Sequence, residues 1–388
     1  MNPSRRRAFV VTLDACGVGA LPDAADYGDA GADTLAHLAE LVGGLRLPTL
    51  ARLGLGEIGS PIAGLATSEA PAAIHGRLAP DGPGKDSTSG HWELMGAGPT
   101  APMPTYPDGF PRELVATLER ITGARFCCNK PYNGLEALVD FGEHHLRTGE
   151  LILYTSQDSV LQLAAHVDRM PADALVATCR LIRGAMAGEH AVGRVIARPF
   201  AGAPGAFARV EGRRDLSLTP AGPTVLDLLD DAGVAVHGVG KVVDLFGGRG
   251  IAQHHEAHGN GPAIDATTEL IAQLDAGMVF TNLIDTDQLY AHRKDVAGFH
   301  AALREIDEAV SAWLRLLRDG DLLVLTADHG CDPAAEHSDH TREYVPLLAT
   351  GPGVAATRHD GAMADVGATV HGWLTGRAPA GLPGTSFI

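Results

Sequence analysis

Seven short apolar runs are spread along the chain: "AFVVTL" (8–13), "LILYTS" (151–156), "RVIA" (194–197), "VAVHGVG" (234–240), "MVFTNLI" (278–284), "LLVLTA" (322–327) and "VPLLAT" (345–350). Each is nearly continuous rather than alternating, as parallel strands covered on both faces must be. Between them apolar residues recur at helical spacing. In 296–318, Val296, Phe299, Leu303, Ile306, Val310, Trp313, Leu314 and Leu317 mark one buried helix face. Further helices are expected over 33–42, 112–122, 171–187, 223–232 and 265–275. Strands alternating with helices predict an α/β architecture with a largely parallel sheet flanked by helices.

The chain has 388 residues, which favours two domains over one. The stretch "GPTAPMPTYPDGFP" (98–111) carries five prolines and cannot be regular structure. Another irregular stretch, "RPFAGAPGAF", covers 198–207. A smaller α/β lobe inserted between about 101 and 217 is therefore expected. It leaves 1–100 and 218–388 as two parts of one core.

Charge excludes some functions. With 30 Lys and Arg against 47 Asp and Glu, the net charge is −17. Such a surface is a poor partner for nucleic acid or an anionic membrane, both of which require a basic face. A phosphate substrate would also be repelled unless a bound metal or an arginine cluster inverted the local field. Five cysteines without a CxxC pair point to a reduced, cytoplasmic setting. In "SRRRAFVVTL" the apolar run ends at Asp14, too short for an export signal, and no stretch approaches the roughly 18 apolar residues of a membrane span.

The carboxylates fall where they matter most. The first run leads into Asp14, a later one into Asp285 and Asp287, and a third into Asp328 and His329. Ligands of parallel α/β sheets bind at the carboxyl ends of strands, so these acids would meet at one edge. Like charges held together need cations to neutralise them. His292, His329, His337 and His340 follow the same segments, giving a nitrogen and oxygen donor set without thiolate. That set suits Mn, Mg, Zn or Fe rather than a structural cysteine-type zinc site.

One loop remains, "GKDSTSGHWELMG" (84–96), with three hydroxyls at Ser87, Thr88 and Ser89. Together with "VVTLDACGVGALPDA", "YTSQDSVLQLAAH", "GRVIARPF", "GKVVDLFGGRGIA", "TNLIDTDQLYAHRKD", "TADHGCDP" and "SDHTREYVPLL", it resembles the phosphopentomutases of the alkaline phosphatase superfamily. The resemblance spans nearly the whole chain. It implies an alkaline-phosphatase-like core with an inserted cap domain, interconverting ribose 1-phosphate and ribose 5-phosphate.

By that resemblance Ser87 is the hydroxyl that carries the phosphoryl group, at a position where the family usually has threonine. One metal would be held by Asp14, Asp328 and His329, the other by Asp287, His292 and His340. The metals implied are two divalent ions, Mn²⁺ foremost, with a sugar bisphosphate such as glucose 1,6-bisphosphate as activator. Asp158 would bind sugar hydroxyls, and Arg194, Arg198, Arg209, Arg213 and Lys241 the distal phosphate. Partners would be pentose phosphates, including deoxyribose phosphates, with the chain a monomer or small homo-oligomer. A metal-dependent phosphohydrolase or diesterase, a cofactor-independent phosphoglycerate mutase and a non-catalytic metal-binding module are the rival readings.

Overall fold

The apolar run after the N-terminal arginines becomes β1 (Arg7–Leu13), buried at every position. The computed structural model describes residues 5–65, 70–156 and 159–388. After β1 come α1 (Thr34–Val42), α2 (Pro48–Leu53), β2 (Ile74–Ala79) and α3 (Ser87–Leu94). The next segment holds α4 (Arg112–Thr122), β3 (Phe126–Pro131), α5 (Gly134–Thr148), β4 (Leu151–Thr155) and β5 (Val160–His166). It continues with α6 (Ala172–Ala185), β6 (Arg194–Ala201), β7 (Ala208–Arg209) and β8 (Arg214–Ser217). Then follow α7 (Val225–Asp231), β9 (Val236–Val239), α8 (Val242–Leu245), β10 (Gln253–His255), α9 (Asn260–Gln273) and β11 (Gly277–Leu283). The chain closes with α10 (Val296–Leu316), β12 (Asp321–Thr326), β13 (Val345–Thr350), β14 (Gly361–Ala362) and α11 (Ala364–Thr375).

These elements make two compact units, residues 1–101 with 220–388, and Pro102–Thr219. In the first, an eight-stranded sheet runs β10-β9-β11-β1-β12-β13-β2-β14. β1 lies between β11 and β12 and pairs parallel with both, with Leu13 opposite Leu283 and Thr12 opposite Thr326. The three strands therefore end at the same edge. A buried ion pair locks the other end of β1 to that of β12, where Arg7 donates to both oxygens of Asp321 at 2.7 and 2.5 Å. Removing one partner of such a pair typically costs about 3–5 kcal/mol.

Helix α10 packs with Phe299, Leu303, Ile306, Val310 and Trp313 buried. Asp307 on the same face is buried too, because its carboxylate caps α2 through the Thr49 and Leu50 N–H groups at 3.2 and 2.8 Å.

Three expectations need correction. The run at 345–350 is a strand but not a parallel one: β13 pairs antiparallel with β12 and β2. Its continuous apolarity records burial, which does not specify direction. Helix α9 begins at Asn260 rather than 265, because the Asp285 carboxylate accepts from the Asn260 N–H at 2.8 Å. Finally, 198–207 is not irregular from its start, since β6 runs on through Pro199 to Ala201 with Phe200 buried.

The second unit holds a sheet ordered β3-β4-β5-β6-β7, with β8 on β6. Leu151, Leu153, Leu161, Leu163, Val195 and Ala197 pack with residues of α4 and α6. Ile152, Tyr154, Ala164 and Phe200 pack with Ala137 and Leu138 of α5. Among the described residues, no helix is long and apolar enough to cross a membrane.

Candidate active site

The shared edge of β11, β1 and β12 delivers acids from three directions. Asp14 follows β1 directly, Asp328 lies two residues past β12, and Asp287 sits in a short π-helical turn, Thr286–Tyr290, after β11. Such turns interrupt regular backbone and are frequent at functional sites. All three carboxylates are buried, with Asp14 fully inaccessible.

Two of the acids are half-satisfied. Asp14 Oδ2 accepts from Asn282 Nδ2 at 3.0 Å, and Asp328 Oδ1 accepts from the Ala15 N–H at 3.3 Å. To offer that N–H, Ala15 adopts φ 66°, a conformation costing an alanine about 1–2 kcal/mol. The other oxygens, Asp14 Oδ1 and Asp328 Oδ2, together with Asp287 Oδ1, are buried without a hydrogen-bond partner. A buried carboxylate oxygen with no donor is costly, and a bound cation is the natural compensation.

Imidazoles face these oxygens. His329 Nε2 lies 3.3 Å from Asp14 Oδ1 and 3.5 Å from Asp328 Oδ2. His292 and His340 place Nε2 at 3.3 and 3.4 Å from Asp287 Oδ1, and 3.1 Å from each other. The second nitrogens explain the orientation. His292 Nδ1 is 2.6 Å from the Ser338 carbonyl and His329 Nδ1 is 3.1 Å from the Gly330 carbonyl. Donation to a carbonyl fixes the proton on Nδ1 and turns the Nε2 lone pair inward, as metal-ligating histidines do. Two donor groups fit divalent ions, Asp14 with Asp328 and His329, and Asp287 with His292 and His340. Asp287 also lies close to His329 with His340, and to His292 with Cys331.

Electrostatics agree with this. Burial works to raise the Asp14 pKa, but neighbouring His329 and the charges of Lys241 and His91 hold it well below the carboxylate range. Burial likewise opposes charge on His329, yet Asp328, Asp14 and Asp287 together push it up to about 10.

Of the three hydroxyls in 87–89, one faces this cluster. Ser87 begins α3, and its Oγ is 3.1 Å from His329 Nε2. Ser89 is committed to a capping box with Asp86, which also accepts from the Thr88 N–H at 2.9 Å. The helix start directs N–H dipoles toward Ser87, which favours negative charge there. Gly90 allows the approach, since a Cβ on it would lie 2.1 Å from the Asp328 carbonyl oxygen.

His91 supports the loop, whereas Thr12 and Asn282 escape a reading of the sequence. His91 binds the Ser87 carbonyl through Nδ1 at 2.8 Å and Thr12 Oγ1 through Nε2 at 3.0 Å. Asn282 orients Asp14. The one available signal was a polar residue near the end of an apolar strand, as in "VVTL" and "FTNL". Asp29 and Glu343 follow no apolar strand and gave no such signal. Asp285 and His337 serve neighbours, capping α9 and contacting Asp29 at 3.0 Å.

Lys241 precedes α8 in the core, where its charge acts on Asp14. Arg194, Arg198, Arg209 and Arg213 belong to the second unit. Arg213 donates through Nε and Nη2 to Asp215, both at 2.7 Å, and Arg194 lies 3.8 Å from the same carboxylate. Arg198 Nε and the Tyr154 hydroxyl are buried without partners. Asp158 lies outside the described residues.

A sheet edge of carboxylates and imidazoles around a helix-borne hydroxyl could hold metal, and a family model described as the metalloenzyme superfamily matches residues 6–374. The chain is 46% identical over 368 residues to a phosphopentomutase of Caldanaerobacter subterraneus subsp. tengcongensis, covering 94% of this chain and 93% of that one. It is 47% identical over 388 residues to a phosphopentomutase of Anaeromyxobacter sp. (strain K), at 99% and 98% coverage. The chain belongs to the phosphopentomutase family of enzymes within that superfamily.

Solved structures bear on the fold alone. A Leishmania mexicana phosphoglycerate mutase is similar at TM-score 0.51 and 12% identity, over 98% of this chain and 97% of that one. The PH0037 protein from Pyrococcus horikoshii is similar at TM-score 0.50 and 15% identity, over 97% and 99%.

Proposed function

We propose that the chain interconverts α-D-ribose 1-phosphate and D-ribose 5-phosphate, and the corresponding 2-deoxyribose phosphates, by phosphoryl transfer through Ser87. The observation that carries this reading is the position of Ser87 Oγ. It sits at a helix start, 3.1 Å from His329 Nε2, among buried carboxylate oxygens that lack donors. The relatives named phosphopentomutase supply the substrate class.

Asp14, Asp328 and His329 would hold one divalent ion and Asp287, His292 and His340 another, taken as Mn²⁺. When bound, such ions offset charge on the equatorial phosphoryl oxygens and acidify a serine hydroxyl.

The chain's own residues do the rest. Ser87 begins as phosphoserine. The free hydroxyl of a pentose monophosphate attacks its phosphorus in line, the bond to Oγ breaks, and a pentose 1,5-bisphosphate forms. The proton of the attacking hydroxyl ends on Ser87 Oγ, which is freed as a neutral hydroxyl. The bisphosphate turns around, Ser87 Oγ attacks its other phosphate, and the isomeric monophosphate departs. His91 holds the Ser87 carbonyl throughout, and the α3 start stabilises the oxygen bearing charge. A sugar bisphosphate such as glucose 1,6-bisphosphate phosphorylates Ser87 at the outset.

The second unit serves as the recognition domain. Arg194, Arg198 and Arg209 would bind the non-reacting phosphate by guanidinium N–H donors, Arg213 would join them on leaving Asp215, and Asp158 would bind sugar hydroxyls.

The test is a phosphorus NMR time course on ribose 5-phosphate with Mn²⁺ and a trace of glucose 1,6-bisphosphate. A ribose 1-phosphate signal growing without inorganic phosphate, and absent in Ser87→Ala, is expected. Inorganic phosphate as the main product would make the chain a phosphohydrolase and overturn the proposal.

A further inference from the structure

We propose a zinc site in the second unit, formed by Cys127 of β3, His144 of α5 and Glu150 in the turn before β4. A ligand atom from each of the three residues lies within 4.8 Å of the others. This triad shares no residue with the carboxylate cluster at the core sheet edge.

Each donor is positioned by backbone that the fold already fixes. Cys127 pairs with Ile152 in the β3–β4 ladder, and its Sγ contacts the carbonyls of Glu150 and Leu151 at 4.0 and 3.6 Å. Glu150 is held from both sides. Its N–H donates to Thr148 Oγ1 at 3.1 Å, and its carbonyl accepts from His145 Nδ1 at 2.7 Å. That leaves the carboxylate aimed at His144, with Oε2 2.8 Å from Nε2. Neither side chain is fully buried, at 36% for His144 and 34% for Glu150, so an ion can reach them from solvent.

The charge environment also favours a cation. Thr148 ends α5 and Gly149 caps it, so the triad, with His144 a turn before that end and Glu150 just past it, lies at the carboxyl end of a fifteen-residue helix. A helix carboxyl end carries partial negative charge and stabilises a nearby cation. Arg147 Nη2 lies 3.4 Å from His144 Nδ1. Arg147 is exposed and free to turn outward when His144 binds metal.

The donor set selects the ion. Thiolate, imidazole and carboxylate together suit Zn²⁺, which takes four ligands and here would complete its shell with water. Burial and the Glu150 charge push the Cys127 thiol up to about 12, so the incoming ion must displace its proton to solvent. The thiolate and the Glu150 carboxylate then balance the ion's two charges. The ion would tie β3, α5 and the start of β4 into one brace, at a place where Cys128 and Asn129 both adopt positive φ, 75° and 44°.

Titration of the full chain with Co²⁺ tests this, because only thiolate ligation gives the sulfur-to-cobalt charge-transfer absorption. The band should saturate at about one Co²⁺ per chain and disappear on adding Zn²⁺. It should be lost in Cys127→Ser and His144→Gln but kept in Cys331→Ser, which removes the other thiol near a donor cluster. Glu150→Gln should weaken Zn²⁺ binding about tenfold or more. Absence of the band, or its survival in Cys127→Ser, overturns the proposal. Circular dichroism establishes that each variant is folded. Neither outcome depends on whether the chain transfers phosphate.

Discussion

Lys85 Nζ lies 2.8 Å from Asp29 Oδ2, and that buried carboxylate also takes the Arg342 N–H at 2.8 Å and His337 Nε2 at 3.0 Å. One acid thus ties the segment two residues before Ser87 to the loop that carries His340. Asp29→Asn keeps the shape but removes the charge that holds Lys85. It is expected to lower kcat about 10- to 100-fold, the range for residues that orient ligands, while KM changes far less. Steady-state kinetics decide. An unchanged kcat would mean that the two loops hold themselves.

Asp29 also shows where sequence reading stops. Asp14, Asp287 and Asp328 could be found because each follows an apolar run, and a strand end has a known place in an α/β sheet. Ser87 could be chosen over Thr88 and Ser89 only by resemblance. The physical reason, that Ser89 is spent on capping with Asp86, is a matter of geometry. Asp29 meets its partners 56, 308 and 313 residues away, pairings that no local pattern encodes. The direction of β13 was hidden for a related reason. Burial on both faces writes the same apolar run whichever way a strand points.

Ser87 itself gives a sharp test. Ser87→Ala should abolish both turnover and the acid-stable phosphoprotein formed with glucose 1,6-bisphosphate. Ser87→Thr should keep both, since the hydroxyl stays and the added methyl restricts its rotamers. Phosphoprotein gels and mass spectrometry of the 84–96 peptide report the outcome. A phosphoprotein that persists in Ser87→Ala would move the nucleophile elsewhere.

The donor-free oxygens of Asp14, Asp287 and Asp328 predict that metal stabilises the fold. Adding Mn²⁺ to chelator-treated protein should raise the unfolding free energy by about 2.7 kcal/mol at one hundred times the dissociation constant. Asp287→Asn should lose part of that gain and Asp14→Asn another part, because they belong to different donor groups. Thermal melts across a Mn²⁺ series check this. A melting temperature that ignores Mn²⁺ would remove the metal from the reading of the site.

Glu343 is fully buried and takes four donors. These are the N–H groups of Gly19 and Thr34 at 3.1 and 2.9 Å, and the hydroxyls of Thr34 and Thr341, both at 2.6 Å. Burial raises its pKa and the donors lower it. Burial prevails, leaving the carboxyl at about 7 against an ordinary 4.5. The folded chain therefore holds a proton between pH 4.5 and 7 that the unfolded chain releases. Its contribution to stability is complete below 4.5 and is lost as pH rises through 7, by at most about 3 kcal/mol. Glu343→Gln cannot satisfy four donors and should be less stable in absolute terms, so the slope is the quantity to compare. Denaturant melts from pH 5 to 8 should show stability falling more steeply with pH in the unsubstituted chain than in Glu343→Gln. Equal slopes would mean that Glu343 is already ionised at pH 5 and that four donors outweigh its burial.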